Sequence, residues 1–288
     1  MSFSDPPIRR ILAPNPSALT GTGTNTYVIG ATDLVVIDPG PDLNDHLAAI
    51  LAAAAGRPVT RIVVTHAHRD HSALVPRLAA ATGAEVLAFG TATEGRSPRM
   101  VDWAGRLPPA AEGLDPDFIP DRRLTGGERL SGPDWELSIH HTPGHLGSHI
   151  CLALGEMLFS GDHVMGWSSS IVAPPDGDMT DYMASLHRLA EREWQVLLPG
   201  HGEAVADPAA RLSALIAHRR NREAAILAAL ALAPATATEL TARIYQDIPR
   251  TLWPAAQQNV LAHLVDLSAR SLVSAPSTTA PEPIFQRI

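Results

Sequence analysis

Residues 65–71 concentrate metal-binding side chains in one short stretch: His66, His68, Asp70 and His71. Imidazole and carboxylate groups are ligands that zinc, iron and manganese take in proteins. The stretch follows an apolar run at 61–65 that predicts a strand buried on both faces. Side chains two positions apart leave a strand on the same side, so the first two histidines point together. A turn at Arg69 then directs the next two ligands to a second position.

Three later residues have the same local setting, because each follows a glycine at the end of a predicted strand. They are His145, Asp162 and His201, and the glycines are Gly144, Gly161 and Gly200. Glycine lets the backbone turn tightly, so the next side chain projects from the sheet edge. We therefore expect these three side chains to join the early cluster.

The elements that must position these residues are short strands interrupted by helices. A hairpin is predicted at residues 27–37, helices at 43–55, 72–81 and 181–192, and further strands at 85–89, 137–141, 150–154, 157–160 and 195–198. Residues 90–120 are rich in proline, glycine and charge, and predict loops with short helices. This pattern favours a mixed α/β sandwich over a doubly wound parallel sheet.

The pattern changes near residue 210. A long helix is predicted over 212–231, a second from Ala237 with Thr236 or Thr238 as N-cap, and a third over 254–269. Leu272 and Val273 then predict a small β-wing. We expect a catalytic domain at 1–210 and a winged-helix-like domain at 211–288.

The ordered set of candidate ligands resembles the metallo-β-lactamase fold hydrolases over residues 10–205. The resemblance implies an αββα sandwich with two metal ions. By the resemblance, His66, His68 and His145 hold one ion, Asp70, His71 and His201 hold the second, and Asp162 bridges both. Residues 23–30, 161–167 and 174–179 and the C-terminal segment are similar to the β-lactamase-like protein 2 branch, and stand-alone polyketide thioesterases share much of the pattern.

The expected chemistry is hydrolysis by a metal-bridging hydroxide, since coordination lowers the pKa of water toward 7. We expect two Zn²⁺, with iron or manganese as alternatives. Asp70 is the expected catalytic residue that orients the nucleophile and accepts its proton. The candidates for contact with substrate are Asn25, His149, His163 and Trp167; for the two histidines, a supporting hydrogen bond behind the ligands is the alternative. Cys151 is expected to be an inert buried thiol.

Charge and composition exclude several classes of function. The chain of 288 residues has a net charge of −8 and contains arginine but no lysine, which excludes a P-loop lysine and lysine Schiff-base chemistry. An acidic body also argues against bulk affinity for nucleic acid or anionic lipid. No apolar stretch approaches the roughly 20 residues that cross a bilayer, and no signal peptide is visible. We expect a cytoplasmic protein that does not associate with membranes.

Several functions remain open at this point. A small acyl ester or thioester is the preferred substrate, and single-stranded RNA cleaved by an endoribonuclease or phosphodiesterase activity is the alternative. Iron-dependent persulfide or oxygen chemistry could use the same histidines. A metal-stabilised binding module is a further alternative, and β-lactamase activity is disfavoured because Asp162 replaces the cysteine of many antibiotic-hydrolysing relatives. The arginines at 219, 220 and 222 are interpreted as a solvated helix face, so no sequence-specific DNA binding is expected.

Overall fold

The β-rich runs form two sheets in the computed structural model, which describes residues 6–105, 113–275 and 282–288. Within those residues, the first sheet has the strand order β1-β2-β3-β4-β5-β6. Its strands are β1 (Ile8–Leu12), β2 (Asn25–Ile29), β3 (Leu34–Ile37), β4 (Val59–Val63), β5 (Glu85–Ala88) and β6 (Arg122–Arg123). The strands β3 to β6 run parallel, and β1 and β2 pair antiparallel at one edge. The sheet is therefore mixed, as the sequence predicts.

The second sheet has the order β11-β10-β9-β8-β7. Its strands are β7 (Arg129–Ser131), β8 (Glu136–His141), β9 (Ile150–Leu154), β10 (Met157–Gly161) and β11 (Val196–Pro199). The strands β7 to β10 form an antiparallel meander, and β11 joins β10 in parallel. The carboxyl ends of β8, β10 and β11 therefore lead directly into the segments that carry the late candidate ligands.

Helices cover the outer face of each sheet. The helices of the described residues are α1 (Asn44–Ala54), α2 (Arg69–Ser72), α3 (Val75–Thr82), α4 (Pro98–Ala104), α5 (Met179–Ala190), α6 (Pro208–Leu232), α7 (Ala237–Ile244) and α8 (Trp253–Ala269), of which α7 lies in the C-terminal core. Successive residues of β3 face opposite layers of the fold. Val36 packs in the cluster that contains Ile50 of α1, whereas Ile37 packs between the sheets in the cluster that contains Phe159. On the other side, α5 and α6 pack on the second sheet. The αββα sandwich is confirmed.

The C-terminal segment forms a third core from α6, α7, α8 and a short ribbon of β12 (Val273–Ser274) and β13 (Gln286–Arg287). Thr236 caps α7 in a capping box with Glu239, which confirms one of the two predicted N-caps. The winged-helix-like architecture is confirmed. The division at residue 210 stays a prediction; it falls inside α6, whose Leu212 packs with the sandwich and whose Leu230 packs with the C-terminal core.

Some elements differ from their predicted bounds. The helix predicted at 72–81 corresponds to α3, which begins at Val75 with Pro76 in its first turn, and the single turn α2 precedes it and ends at Ser72. Strand β1 was not predicted, because this edge strand carries two exposed arginines and lacks an apolar run. In the predicted loop region 90–120, α4 is a short helix, and residues 106–112 lie outside the described residues.

No helix among the described residues combines the length and apolar character that a membrane crossing requires.

Candidate metal centre

The first group of ligands forms where β4 ends. His66 Nε2 lies 3.0 Å from His68 Nδ1, which in turn lies 3.1 Å from His145 Nε2. His66 and His68 follow β4, and His145 arrives from the turn after β8. Strand ends from both sheets therefore bring three ring nitrogens to one point.

The second group forms around the single turn of helix α2, which redirects the chain as the sequence predicts. Nε2 of His71 lies 3.3 Å from Nε2 of His201 and 3.6 Å from Oδ2 of Asp70. The Oδ2 atom of Asp70 also lies 3.2 Å from Nε2 of His201. These three donors come from α2 and from the loop after β11.

Asp162 lies between the two groups. Its Oδ2 is 3.9 Å from His66 Nε2, 3.8 Å from His145 Nε2 and 3.4 Å from His201 Nε2. Its Oδ1 is 3.5 Å from His71 Nε2, and this buried atom has no hydrogen-bond partner among the described residues. A carboxylate that faces both groups at once can be shared by two cations.

The donor set fits two divalent metal ions. Nitrogen and oxygen ligands held about 2.0–2.2 Å from a tetrahedral zinc lie about 3.3 Å from each other, and the contacts within each group have this spacing. His68 Nδ1 faces two other ring nitrogens, and one shared proton cannot satisfy all three atoms. Among the residues that the structure describes, side chains that could hold an ion form three groups: His66, His68 and His145; His66, His71 and Asp162; and Asp70, His71 and His201.

The opposite ring nitrogens are held by hydrogen bonds, which fixes how the ligands point. His145 Nδ1 donates to the Ile171 carbonyl at 2.6 Å, and His201 Nδ1 donates to the Gly23 carbonyl at 3.1 Å. Such outer contacts orient a histidine and leave its other nitrogen unprotonated for a metal.

Asp38 supports the candidate ligand His71, although it was not predicted from the sequence. Its Oδ2 lies 2.9 Å from His71 Nδ1, while Oδ1 accepts the Thr65 backbone N–H at 2.7 Å. Asp38 adopts a left-handed backbone with φ of 50°, directly after β3. The signal was present, because this residue too follows a strand and precedes a Pro-Gly turn.

The two groups differ in their electrostatics. Burial, reinforced by His145, lowers the pKa of His68 to about 3, and burial lowers that of His66 well below its usual value. Burial alone would also lower the pKa of His201, but Asp162 and Asp70 outweigh it and raise that pKa to about 9. The pKa of His71 is likewise raised against the effect of burial, by Asp70, Asp162 and Asp38. Without bound metal ions, the histidines of the first group are therefore neutral, whereas the second group pairs protonated histidines with ionised carboxylates.

The glycines before the late ligands act for two different reasons. Gly144 and Gly161 have φ of 143° and 48°, a region that favours glycine, as predicted. Gly200 does not have a left-handed backbone; instead, a Cβ added there would lie 2.6 Å from Asp162 Oδ1. At this third position, glycine supplies space beside the shared carboxylate.

Burial contradicts three of the four predicted substrate contacts, because Asn25, His149 and His163 have no exposed surface. Asn25 Nδ2 donates to the Pro199 and Gly202 carbonyls and so braces the loop that carries His201. His149 Nε2 accepts the Asp162 backbone N–H at 3.2 Å, which fits the supporting role considered for it. A direct contact with substrate requires surface that these side chains lack.

Trp167 is the remaining candidate, and 48% of its surface is exposed. Its indole lies against Gly21 and Gly202, where added Cβ atoms would come within 3.4 and 2.5 Å of the ring. A cavity of about 630 Å³ opens here, lined by Gly21, Thr22, Trp167, Gly202, Val205 and Arg211, among others. Because Gly202 follows His201, this apolar surface begins one residue from the metal-binding cluster.

Comparison with known proteins gives matches to both parts of the chain. Residues 19–201 match the family described as the metallo-beta-lactamase superfamily, and residues 236–278 match the beta-lactamase associated winged helix domain. A beta-lactamase-like protein 2 homolog from Drosophila melanogaster is 31% identical over 90% of this chain and 86% of that protein. An atrochrysone carboxyl ACP thioesterase from Passalora fulva is 29% identical over 83% of this chain and 68% of that protein.

Among solved structures, a metallo-beta-lactamase family protein from Thermus thermophilus superposes with a TM-score of 0.78. Its sequence is 26% identical, and the superposition covers 98% of each chain. The similarity therefore includes the C-terminal segment as well as the sandwich.

Proposed function

The chain belongs to the metallo-beta-lactamase superfamily, and on that premise we propose that it is a binuclear zinc hydrolase of small acyl esters or thioesters. The observation that carries the proposal is the position of Asp162, whose carboxylate lies 3.8 Å from His145 in one group and 3.4 and 3.5 Å from His201 and His71 in the other. A structural zinc needs only four closed ligands, so a shared carboxylate between two groups favours a reaction centre over a metal-stabilised binding module.

The residues have distinct roles in this proposal. His66, His68 and His145 would hold one ion, Asp70, His71 and His201 the other, and Asp162 would contact both. Bound zinc ions would supply Lewis acidity and lower the pKa of a water molecule. Asp70 would orient this water and accept its proton, because 29% of its side chain is exposed, compared with 11% or less for the Asp162, His71 and His201 side chains around it. Its carboxylate is thus the one that reaches the opening.

The surroundings of the centre support an acyl substrate. The exposed face of Trp167 offers an apolar surface beside His201, suited to an acyl chain or ring. The nearby arginines are engaged, since Arg211 donates to the Met165 and Ser168 carbonyls and Arg10 pairs with Glu203. A single-stranded RNA would instead require a groove with available positive charge along its backbone.

The C-terminal segment does not support DNA recognition. The helix α8 would be the recognition helix, yet residues 262–267 within it are all buried. Arg219, one of the arginines interpreted as solvated, is 1% exposed. That earlier interpretation of Arg219 is therefore wrong, and we propose that the segment serves the hydrolase itself.

The test compares substrates on one preparation. Purified protein would be assayed by elemental analysis, and its hydrolysis of acyl-thioesters would be measured beside cleavage of a labelled single-stranded RNA. We expect about two zinc ions per chain and thioester turnover that Asp162→Asn abolishes. RNA cleavage without thioester turnover would contradict the proposed substrate class. Iron without zinc would contradict both the proposed metal and the proposed hydrolysis.

A further inference from the structure

A loop between Asp162 and α5 connects the metal-binding cluster to the C-terminal helices. Two buried side chains hold this loop, namely Arg219 from α6 and Asn259 from α8. The Arg219 guanidinium donates through Nη2 to the Ser170 carbonyl and, at 3.0 Å, through Nη1 to Asn259 Oδ1. The same Oδ1 atom accepts the Val172 backbone N–H at 3.0 Å.

The peptide group between Ile171 and Val172 is the point where this network meets a candidate ligand. Its N–H donates to Asn259, and its carbonyl accepts Nδ1–H of His145 at 2.6 Å. One rigid amide plane therefore transmits the position of Asn259 to the imidazole. A hydrogen bond at one end of an amide also polarises the other end, so the carbonyl becomes a stronger acceptor for the histidine.

Arg219 fixes which way the Asn259 amide faces. Guanidinium groups only donate, so the oxygen of Asn259 must face Arg219, while its Nδ2 donates to the Ala255 carbonyl at 3.3 Å. With the amide reversed, two donors would face the Val172 N–H and the guanidinium. The arginine thus selects the single amide orientation that can hold the loop.

The burial of Arg219 is costly for a purely structural contact. Among residues 6–105, 113–275 and 282–288, no carboxylate oxygen lies within 4.0 Å of its guanidinium, and its Nε has no hydrogen-bond partner. Its guanidinium carbon also lies 5.0 Å from the centroid of the Tyr182 ring. Removal of a charge from water is unfavourable unless a counter-charge or hydrogen bonds compensate it. For Arg219 the compensation comes from hydrogen bonds to Ser170 and Asn259, which place the guanidinium at the loop.

We propose that Arg219 and Asn259 are positioning residues for the metal centre, acting through the Ile171 carbonyl on His145. The C-terminal segment then forms part of the reaction centre, because the ligand geometry of the first metal site depends on α6 and α8. This inference rests on the proposed binuclear centre, and it adds a dependence that the ligands alone do not imply.

The experiment measures metal binding rather than turnover. Metal-free full-length protein would be titrated with Co²⁺, and the affinity and visible absorption of each of the two sites would be recorded. Asn259→Leu removes the acceptor, Arg219→Met removes the donor and the buried charge, and Asn259→Asp keeps an oxygen for both Arg219 and Val172. Leu230→Ala is the matched control, because it weakens the C-terminal core without contact to the loop.

We expect Asn259→Leu to weaken Co²⁺ binding at the site containing His145 about tenfold and to alter its absorption bands, as loss of outer contacts does elsewhere. Arg219→Met should act in the same direction by a smaller factor and remain folded, which keeps the test available if Asn259→Leu fails to fold. Asn259→Asp should restore binding to within about twofold of the parent protein. The site containing His71 and His201 should keep its affinity throughout.

Equal weakening of both sites, or a loss no greater than that of Leu230→Ala, would overturn the inference. A parent protein that binds fewer than two ions would instead refute the proposed binuclear centre, so the two failures are distinguishable.

Discussion

Asp38 and His71 are joined by a contact of 2.9 Å between Oδ2 and Nδ1 across 33 positions of sequence. Asp38 follows β3 and His71 lies on α2, so the contact connects neighbouring strand ends of the first sheet. A carboxylate on Nδ1 fixes the tautomer that presents Nε2 to a metal. The second metal group therefore depends on a residue that is not itself a ligand.

Replacement of Asp38 by asparagine tests that dependence. Asn tolerates the left-handed backbone at this position, and its Oδ1 can still accept the Thr65 N–H, so the fold should persist. With Oδ1 on the Thr65 N–H, its Nδ2 would present an amide donor to His71 Nδ1 in place of the carboxylate oxygen. We expect metal affinity at the site containing His71 to fall about 10–100-fold. Metal titration with circular dichroism as the fold control checks this, and unchanged affinity would contradict it.

Gly200→Ala should damage the centre without a comparable loss of stability. An added Cβ would lie 2.6 Å from Asp162 Oδ1 and 2.7 Å from His71 Cε1, so the shared carboxylate must move. Bound metal per chain should fall, and the hydrolytic rate should fall by at least about tenfold. Gly105→Ala is the matched control, because a Cβ there meets no atom within 4 Å. Equal metal content and equal hydrolytic rate in the two variants would contradict the interpretation that Gly200 leaves space for the Asp162 carboxylate.

Metal removal should lower the melting temperature. A ligand present at a hundred times its dissociation constant stabilises the folded state by about 2.7 kcal/mol, which corresponds to several degrees for a chain of this size. Thermal unfolding with and without a chelator, followed by zinc addition, measures the effect and its reversal. Asp162→Asn should respond much less to chelation. A parent protein indifferent to both chelator and zinc would argue against a metal centre.

Trp167→Ala should act on substrate binding. Loss of the indole face removes apolar contact with an acyl group but leaves the metal ligands in place, so KM should rise about tenfold, equivalent to about 1.4 kcal/mol, with kcat nearly unchanged. Trp167→Phe keeps an aromatic face and serves as the control. Steady-state kinetics with long-chain and acetyl thioesters provide the measurement. The prediction fails if Trp167→Ala affects the two thioesters equally.

His263 should make folding sensitive to acid. Burial, with Arg219 acting in the same direction, lowers its pKa in the folded protein to about 3 from a usual value of 6.5. The unfolded chain therefore binds more protons between these values, so stability is lost as the pH falls below 6.5 toward 3. Between pH 7 and pH 5 this group should contribute a loss of about 2 kcal/mol.

His263→Leu isolates that contribution. The ring nitrogens of His263 have no hydrogen-bond partner among the described residues, so replacement by leucine removes no hydrogen bond. Urea unfolding of both proteins at pH 7 and pH 5 should show that the variant gains about 2 kcal/mol relative to the parent on acidification. A difference between the two proteins that is independent of pH would contradict the assigned pKa.

Much of the candidate site was accessible from local sequence. The histidine cluster after an apolar run, and the strand–glycine–ligand pattern at Gly144 and Gly161, indicated side chains that the fold does bring together. The prediction for Asn25, His149 and His163 was wrong in assigning substrate contact. Nearness to ligands along the chain does not reveal burial, which depends on the elements packed above them.

The kind of site follows from local sequence, because ligand type and the turns that project ligands from strand ends are set by neighbouring residues. The mixed α/β class follows as well, since apolar runs separated by turns and interrupted by helices predict strands that must be buried between layers. The contact of Asp38 with His71 and the burial of Arg219 against Asn259 are visible only in the folded chain. Those contacts join segments 33 and 40 positions apart, and their formation depends on how sheets and helices pack rather than on any local preference.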